Sequence, residues 1–374
     1  MMRVPSRGQP EADAVDVTVD AQRDAAGVDA VVTDAELAHR RVLEMRVHVD
    51  TDLGGDPDDA CALAMLLGWP GIELLGVTTA LEHGGSRAGC VARVLETADR
   101  SNVPIASGSE TTLTGGTYRS TAEDERYWGT PVRPRRGRPG AFLDLLEDSI
   151  AQGATVLALG GLTNLAILEL IRPGSLADAH VVAMNGWFDH AGPGLPPWGH
   201  EYDFNTQVDT RAAEIVAASA RLTLVPLPVA MHSTLKGRDL ARLRAAGSLG
   251  DLLASQSELH RDDHGFDELA QTWPGLPDDL TNFHWDPVAA AIAVGWNGAS
   301  VEQRLLATRV EAGVLRFVDD PAGRPHHVVT SVDSTSFDED FLSAVENAGG
   351  IGNTSESSTG RKSGTSGRLG GALQ

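Results

Sequence analysis

The sequence predicts an α/β fold: an open, mostly parallel, Rossmann-like sheet with helices on both faces and an antiparallel addition near the C-terminus. Three observations carry this reading. Short β-branched or Leu-rich runs alternate with stretches of helical apolar spacing from Arg46 to about Val294, the pattern of parallel strands joined by crossover helices. Three β-like runs then follow one another with no helical spacing between them, which suits antiparallel pairing through short turns. A chain of 374 residues, 41% of them hydrophobic, can also bury one large core.

Taken in order, the predicted strands are Arg46–Asp50, Leu74–Thr79, Thr155–Leu159, His180–Met184 and Leu222–Pro226, each a short apolar run bounded by turn residues. The helices, read from apolar spacing, are Ala60–Leu67, Ala88–Ala98, Phe142–Ile150, Leu165–Leu170, Ala212–Ala218 and Val288–Val294. Gln303–Val310, Val314–Val318 and His327–Val332 form the antiparallel addition. No internal repeat interrupts the pattern.

The ends differ in composition. Residues 1–44 are rich in Asp, Ala and Val without a sustained period and are expected to be a flexible leader; residues 45–348 form the catalytic domain. Residues 349–374 are expected to be a disordered tail, because the Gly/Ser-dominated stretch from Ser355 offers little burial in return for ordering.

The formal net charge of −22 makes nucleic acid and anionic membrane surfaces poor partners. No run approaches the roughly 20 apolar residues of a membrane helix, and no signal-peptide pattern opens the chain. Cys61 and Cys90 both fall inside apolar helical patterns, which suits reduced core thiols and a cytoplasmic protein.

Chemistry concentrates where the first strand ends. There the chain reads Asp50-Thr51-Asp52-Leu53-Gly54-Gly55-Asp56-Pro57-Asp58-Asp59 before a helix begins. Asp56, as an N-cap before Pro57, has an ordinary explanation, and acids in a first helical turn complement the helix dipole. Asp50, Asp52, Asp58 and Asp59 together do not, since like charges so close repel unless a cation or protons neutralise them. Oxygen ligands without Cys or His favour Ca²⁺ or Mg²⁺ over zinc. An EF-hand fails because Gly54 and Cys61 stand where acids are required. A Gly-rich phosphate cradle fails because carboxylates compete with phosphate for the helix end. An aspartyl-phosphate phosphatase needs no Asp-Asp pair at the helix start.

This turn, with Gly76-Val77-Thr78-Thr79, Leu159-Gly160-Gly161-Leu162-Thr163-Asn164, Val181-Val182-Ala183-Met184-Asn185-Gly186, Asp203-Phe204-Asn205 and Trp285-Asp286-Pro287, resembles the inosine–uridine-preferring nucleoside hydrolase family. The resemblance spans about Arg46 to Asp340 and implies Ca²⁺-dependent hydrolysis of a ribonucleoside to free base and ribose. It also implies the roles: Asp52, Asp59, the Thr163 carbonyl and Asp286 hold Ca²⁺, while Asp58, Asn205 and Asp203 hold the sugar hydroxyls. Asp203 stands where the family usually has Glu. Asp52 is the natural general base, and Met184 packs beneath the ribose or serves the core. Family members are often homodimers or homotetramers.

Departures from the family pattern leave particular positions open. Ala80-Leu81-Glu82-His83 replaces a sugar-contacting Gly-Asn, so His83 or Glu82 either substitutes or faces solvent. The family often has a His before the last metal-binding Asp; here Trp285 stands there and His284 is one step away. Trp285 is expected to stack on a purine, with His284 as a candidate leaving-group acid and Tyr118 or Trp198 as an opposite aromatic face. Asn164 braces its loop or contacts substrate. Arg133–Arg138 reads as a solvated basic loop. Two rivals remain: a ribose- or nucleoside-binding protein with little turnover, and a hydrolase of another ribosyl compound.

Overall fold

The computed structural model describes residues 45–116, 125–188 and 191–356. Eleven strands are present among them: β1 Met45–Thr51, β2 Ile72–Thr79, β3 Ile105–Ser107, β4 Thr155–Ala158, β5 His180–Ala183, β6 Arg221–Leu224, β7 Thr234–Lys236, β8 Leu280–Phe283, β9 Ala299–Glu311, β10 Val314–Asp319 and β11 Arg324–Val332. The helices of eight residues or more are α1 Asp58–Gly68, α2 Ser86–Thr97, α3 Ala141–Ala151, α4 Thr163–Ile171, α5 Thr210–Ser219, α6 Ser248–His264, α7 Trp285–Ala293 and α8 Ser334–Glu356. None of the described helices is long and apolar enough to cross a membrane.

Nine strands form one sheet in the order β10-β9-β11-β6-β5-β4-β1-β2-β3. Every neighbouring pair from β3 to β11 is parallel, and β9 is antiparallel to both β11 and β10. The expected antiparallel addition is therefore present, and it joins the parallel sheet through β11 against β6. A separate two-stranded antiparallel ribbon pairs β7 with β8.

Alternation along the strands distributes side chains to two cores, as the two-residue pleat requires. Val156 and Ala158 of β4 and Val181 and Ala183 of β5 enter one core with α3, α4 and α5. Leu157 and Val182, together with Val47 and Val49 of β1, enter the other with α1, α2, α6, α7 and α8. Among the polar side chains buried on the strands is His48 of β1, with Nδ1 2.9 Å from Ser149 Oγ and Nε2 3.0 Å from Thr78 Oγ1. Burial pushes its pKa down to about 3, so it is neutral.

Sequence spacing did not reveal β3, the β7–β8 ribbon, α6 or α8. The first three are three- or four-residue strands, too short to show a period. α6 carries Asp, Glu and Arg along much of its length, so its apolar face is narrow.

The parallel order reverses direction between β1 and β4. At such a switch the loops leaving the two strands diverge to opposite faces and open a crevice beyond the strand ends. The acidic turn follows β1 and the Leu159–Leu162 segment follows β4, so both lie at this crevice.

Candidate active site

Two helix starts bring the site's carboxylates together. Asp58 and Asp59 occupy the first turn of α1, and Asp286 the first turn of α7, which packs beside α1. All three are buried, and one carboxylate oxygen from each lies within 4.8 Å of the others. Amides at the helix starts favour negative charge there. Asp59 accepts a short hydrogen bond from the Thr51 hydroxyl, and Asp58 accepts the Asp59 amide at 2.9 Å.

Burial first, and repulsion between neighbouring acids second, raises the carboxyls of Asp58, Asp59 and Asp286 well above the usual range. Asp52 is also raised by burial, and the Arg87 guanidinium opposes the rise. Among the described residues lining the site, Arg87 is the one Lys or Arg side chain. The residues present fit a divalent cation: oxygen donors, several formal charges and a buried setting.

Asp52 is placed by a close approach. A Cβ at Gly160 would come within 2.7 Å of Asp52 Oδ1, so a larger residue there would displace the carboxylate. Behind it, Asp50 is fully enclosed and accepts hydrogen bonds from the Thr78 hydroxyl and from Asn164 Nδ2 at 2.8 Å. Burial lifts its pKa to about 7 in spite of those donors. Asn164 thus braces its loop: its amide group also donates to the Thr79 carbonyl at 3.0 Å and accepts from the Ser109 amide at 2.9 Å.

Above the carboxylates opens a cavity of about 430 Å³. Its acidic wall is Asp52, Asp56, Asp58, Asp59 and Asp286; its apolar wall includes Met184, Trp198, Phe266, Phe283 and Trp285. Trp285 stacks on Phe283 with ring centroids 4.6 Å apart and planes 23° apart. Trp198 stacks on Tyr202 at 5.3 Å. Asn205 also lines the cavity, its Nδ2 donating to the Leu159 and Met184 carbonyls at 2.7 and 3.0 Å, so its Oδ1 is the atom left for a ligand.

In sequence and in fold the chain is similar to known proteins. The sequence model of the inosine-uridine preferring nucleoside hydrolase family matches residues 47–339. The chain belongs to that family. Its members are hydrolases acting on ribonucleosides. Uridine nucleosidase 1 of Arabidopsis thaliana is 30% identical over 230 residues, which cover 58% of this chain and 66% of the plant protein, just under two thirds of its length. A pyrimidine-specific ribonucleoside hydrolase of Salmonella agona is 27% identical over 237 residues, covering 59% of this chain and 74% of that protein. Among solved structures, the purine-preferring ribonucleoside hydrolase from Gardnerella vaginalis superposes with a TM-score of 0.68 at 20% identity, covering 82% of this chain and 99% of that one. The plant nucleoside hydrolase PpNRh1 has the same TM-score at 22% identity, covering 81% and 99%. These two structures establish the nucleoside hydrolase fold.

Within the nucleoside hydrolase site, the sequence-derived residues divide. Asp52, Asp58, Asp59, Met184, Asn205, Trp285 and Asp286 line one cavity. Asp58, expected at the sugar hydroxyls, joins Asp59 and Asp286 in the closest carboxylate group, and Asp52 stands beside that group rather than in it. Thr163 lies buried at the start of α4, outside the cavity lining, with its hydroxyl donating to Asp209 at 2.8 Å.

Three expectations are corrected. His83 is exposed and does not line the cavity; the neighbouring Glu82 is buried, its carboxylate accepting the Thr79 hydroxyl and the amides of His83, Gly85 and Ala88 at the start of α2. That loop spends its acid on helix amides rather than on a sugar. Asp203 likewise caps a short helix by accepting the Thr206 amide at 3.2 Å, and takes the Gly186 amide at 2.7 Å, so both of its oxygens are occupied by backbone. His284 is buried outside the cavity lining, with its ring 4.4 Å from that of Phe341; burial drives its pKa down to about 3. Adjacent residues entering a helix point about 100° apart, so the residue next to Trp285 turns away from the cavity. Tyr118 lies outside the described residues.

Sequence reasoning missed Arg87, His260, His264 and Phe266, which also line the cavity. Arg87 is nearly fully buried, with Nε donating to the Leu81 carbonyl at 3.0 Å and Nη1 to the Gly54 carbonyl at 3.1 Å. Its signal was an Arg at the entry to the apolar pattern of α2, a helix that also carries Arg93. For the two histidines the signal was the four-residue spacing that places them on one helix face.

Proposed function

We propose that this chain is a Ca²⁺-dependent ribonucleoside N-ribohydrolase that favours purine nucleosides. The observation that carries the reading is the convergence of Asp58, Asp59 and Asp286 in the wall of an aromatic-lined cavity. Asp52, Asp59, Asp286 and the Thr163 carbonyl would hold the ion. When bound, Ca²⁺ neutralises the cluster, grips the ribose diol and lowers the pKa of the attacking water.

The chain's own residues do the rest. Cleaving an N-glycosidic bond builds positive charge on the ribose, and the carboxylates beside it stabilise that charge. Asp52, set against the chain at Gly160, accepts the proton of the water as it bonds to C1′. Asn205 Oδ1 and Asp58 accept hydrogen bonds from sugar hydroxyls, and Met184 supports the ring from below. Trp285, held flat by Phe283, offers its face to the base. A flanking acid pair of the ordinary glycosidase kind is less consistent with this cavity, three of whose carboxylates converge within 4.8 Å.

The purine preference rests on the Trp285–Phe283 stack. A pyrimidine preference is the second reading, favoured by the uridine nucleosidase and pyrimidine-specific hydrolase among the sequence relatives. The test is release of free base from inosine, guanosine and uridine, with calcium, with EGTA, and with calcium restored. Base release that EGTA abolishes and calcium restores is expected, fastest for the purines. Tight ribose binding without turnover would instead identify a binding protein, and cleavage confined to other ribosyl compounds would reassign the substrate.

A further inference from the structure

We infer that the sugar end of the cavity is built for a ribonucleoside whose 5′ carbon carries an apolar group, such as a 5′-deoxy or 5′-alkylthio nucleoside. The inference rests on the hydrolase reading above and narrows its substrate class. A ribonucleoside brings sugar hydroxyls at C2′, C3′ and C5′, and a closed site must offer each one a partner or leave it in water. The 2′,3′-diol has its partners in the cation site, Asp58 and Asn205. The third acid that the resemblance assigned to the sugar, Asp203, is withdrawn: it does not line the cavity, and its oxygens accept the Gly186 and Thr206 amides.

What lines the cavity in its place is aromatic. C5′ leaves the ring at C4′, across the ring oxygen from the base at C1′, so a nucleoside with its base on Trp285 points its 5′ end at a different wall. Phe204 directly precedes Asn205, with Tyr202 and Trp198 shortly before it, and all three line the cavity. The rings of Trp198 and Tyr202 stack with their planes 17° apart. Trp198 meets Phe283 edge-on at 6.1 Å, and among the described residues neither Trp198 nor Tyr202 makes a ring contact with Trp285. Tyr202 is 52% exposed and Phe204 39%, so the cavity edge beside Asn205 is apolar and uncovered.

Other hydrogen-bonding side chains of the lining are engaged elsewhere. Asp56 Oδ1 accepts the Asp58 amide at 3.1 Å and Asn282 Nδ2 at 2.9 Å, while Oδ2 faces His260 Nε2 at 3.4 Å. Arg87 donates to the Leu81 and Gly54 carbonyls. His264 Nδ1 lies 3.1 Å from the His260 carbonyl. Among the described lining residues only Tyr202 carries a hydroxyl. A 5′-hydroxyl against this aromatic edge gives up water for little in return, whereas a methyl or methylthio group covers ring surface that otherwise stays wet. Chemistry at C1′ is unchanged: the C1′–N bond breaks, the hydroxyl of water bonds to C1′, its proton ends on the base, and the 5′ group departs unaltered on the free sugar.

The experiment measures kcat/KM for base release from two pairs, adenosine with 5′-deoxy-5′-methylthioadenosine and uridine with 5′-deoxyuridine, on the full chain with calcium. The apolar member of each pair is expected to be the better substrate, by about tenfold for the methylthio group. A parent nucleoside cleaved as well as its apolar partner, or better, overturns the inference, and this comparison needs no variant to fold. Two variants then locate the preference. Tyr202→Phe, which removes only the hydroxyl, should keep the ratio; a selective loss on the parent nucleosides would mean that this hydroxyl holds the 5′-hydroxyl, and would overturn the inference. Trp198→Ala should lower the methylthioadenosine-to-adenosine ratio at least about fivefold. A merely structural Trp198 would depress both substrates alike and leave the ratio standing, which overturns the assignment of this wall. If no member of either pair is cleaved, it is the hydrolase reading that fails, a different result from a reversed ratio.

Discussion

Asn164 Nδ2 donates to Asp50 Oδ1 at 2.8 Å and so ties the loop after β4 to the end of β1, across the point where the strand order reverses. The crevice that a reversal opens is a weak point in a sheet, and here a buried amide closes its floor. Asn164→Leu removes that bond and the one to the Thr79 carbonyl while adding no partner. A loss of about 1–3 kcal/mol is expected in urea unfolding. A change under about 0.5 kcal/mol would show that the brace is dispensable.

Gly160→Ala tests how closely Asp52 must approach the β4 loop. The added Cβ would meet Asp52 Oδ1 at 2.7 Å, so the carboxylate must move. Nucleoside cleavage is expected to fall at least about tenfold, and calcium affinity, read by titration calorimetry, should fall with it. Asp52→Ala should be more severe, costing orders of magnitude in kcat with an unchanged circular dichroism spectrum. Activity near wild type in Asp52→Ala removes that residue from the chemistry.

Calcium should stabilise the fold as well as serve catalysis. Buried Asp58, Asp59 and Asp286 repel one another when charged, so a bound cation would relieve that cost. Saturation at a hundred times Kd is worth about 2.7 kcal/mol and should raise Tm by several degrees. Asp59→Asn should raise the Tm of EGTA-treated protein and flatten the calcium response. A wild-type Tm indifferent to calcium would count against the cation site.

Trp285→Ala separates stacking from packing. Loss of kcat/KM greater for inosine than for uridine is the expected result, by about a factor of ten if the ring face carries the base. Equal losses would mean that Trp285 merely covers Phe283.

The sign of pH-dependent stability follows from His48. Its folded pKa of about 3 lies below the ordinary value of 6.5, so between those limits the unfolded chain binds more protons than the folded one. The stability contributed is fully present above 6.5 and is lost as pH falls through 6.5 toward 3, at up to about 1.4 kcal/mol per pH unit. His48→Gln should reduce the drop in urea midpoint between pH 7 and pH 4.5. An unaltered drop would place the acid sensitivity elsewhere, in His284 for instance.

The parallel sheet and its crossover helices were legible because burial on both faces writes short apolar runs, bounded by turn residues, into β1, β2, β4, β5 and β6. The acidic turn was legible because four unexplained carboxylates crowd a few residues. Side-chain direction was not. His284 and Trp285 are neighbours in sequence, yet one enters the core beside Phe341 and the other walls the cavity. Asp203 and Glu82 carry the right chemistry for a sugar, but their backbone surroundings provide amides that claim them first. Nor could spacing alone show that α6, more than two hundred residues after Asp56 in sequence, returns His260 to its side.

The ribbon of β7 and β8 has a practical consequence for anyone reshaping this cavity. Phe283 ends β8, Trp285 opens α7, and Asp286 comes next, so the aromatic wall and the far carboxylate ride on one short, stiff stretch of chain. Engineering a different base appetite by altering that wall would drag the cation grip along with it. Trp198 and Phe266, whose rings pack edge-on against Phe283, are borne on separate segments and are the safer places to introduce diversity.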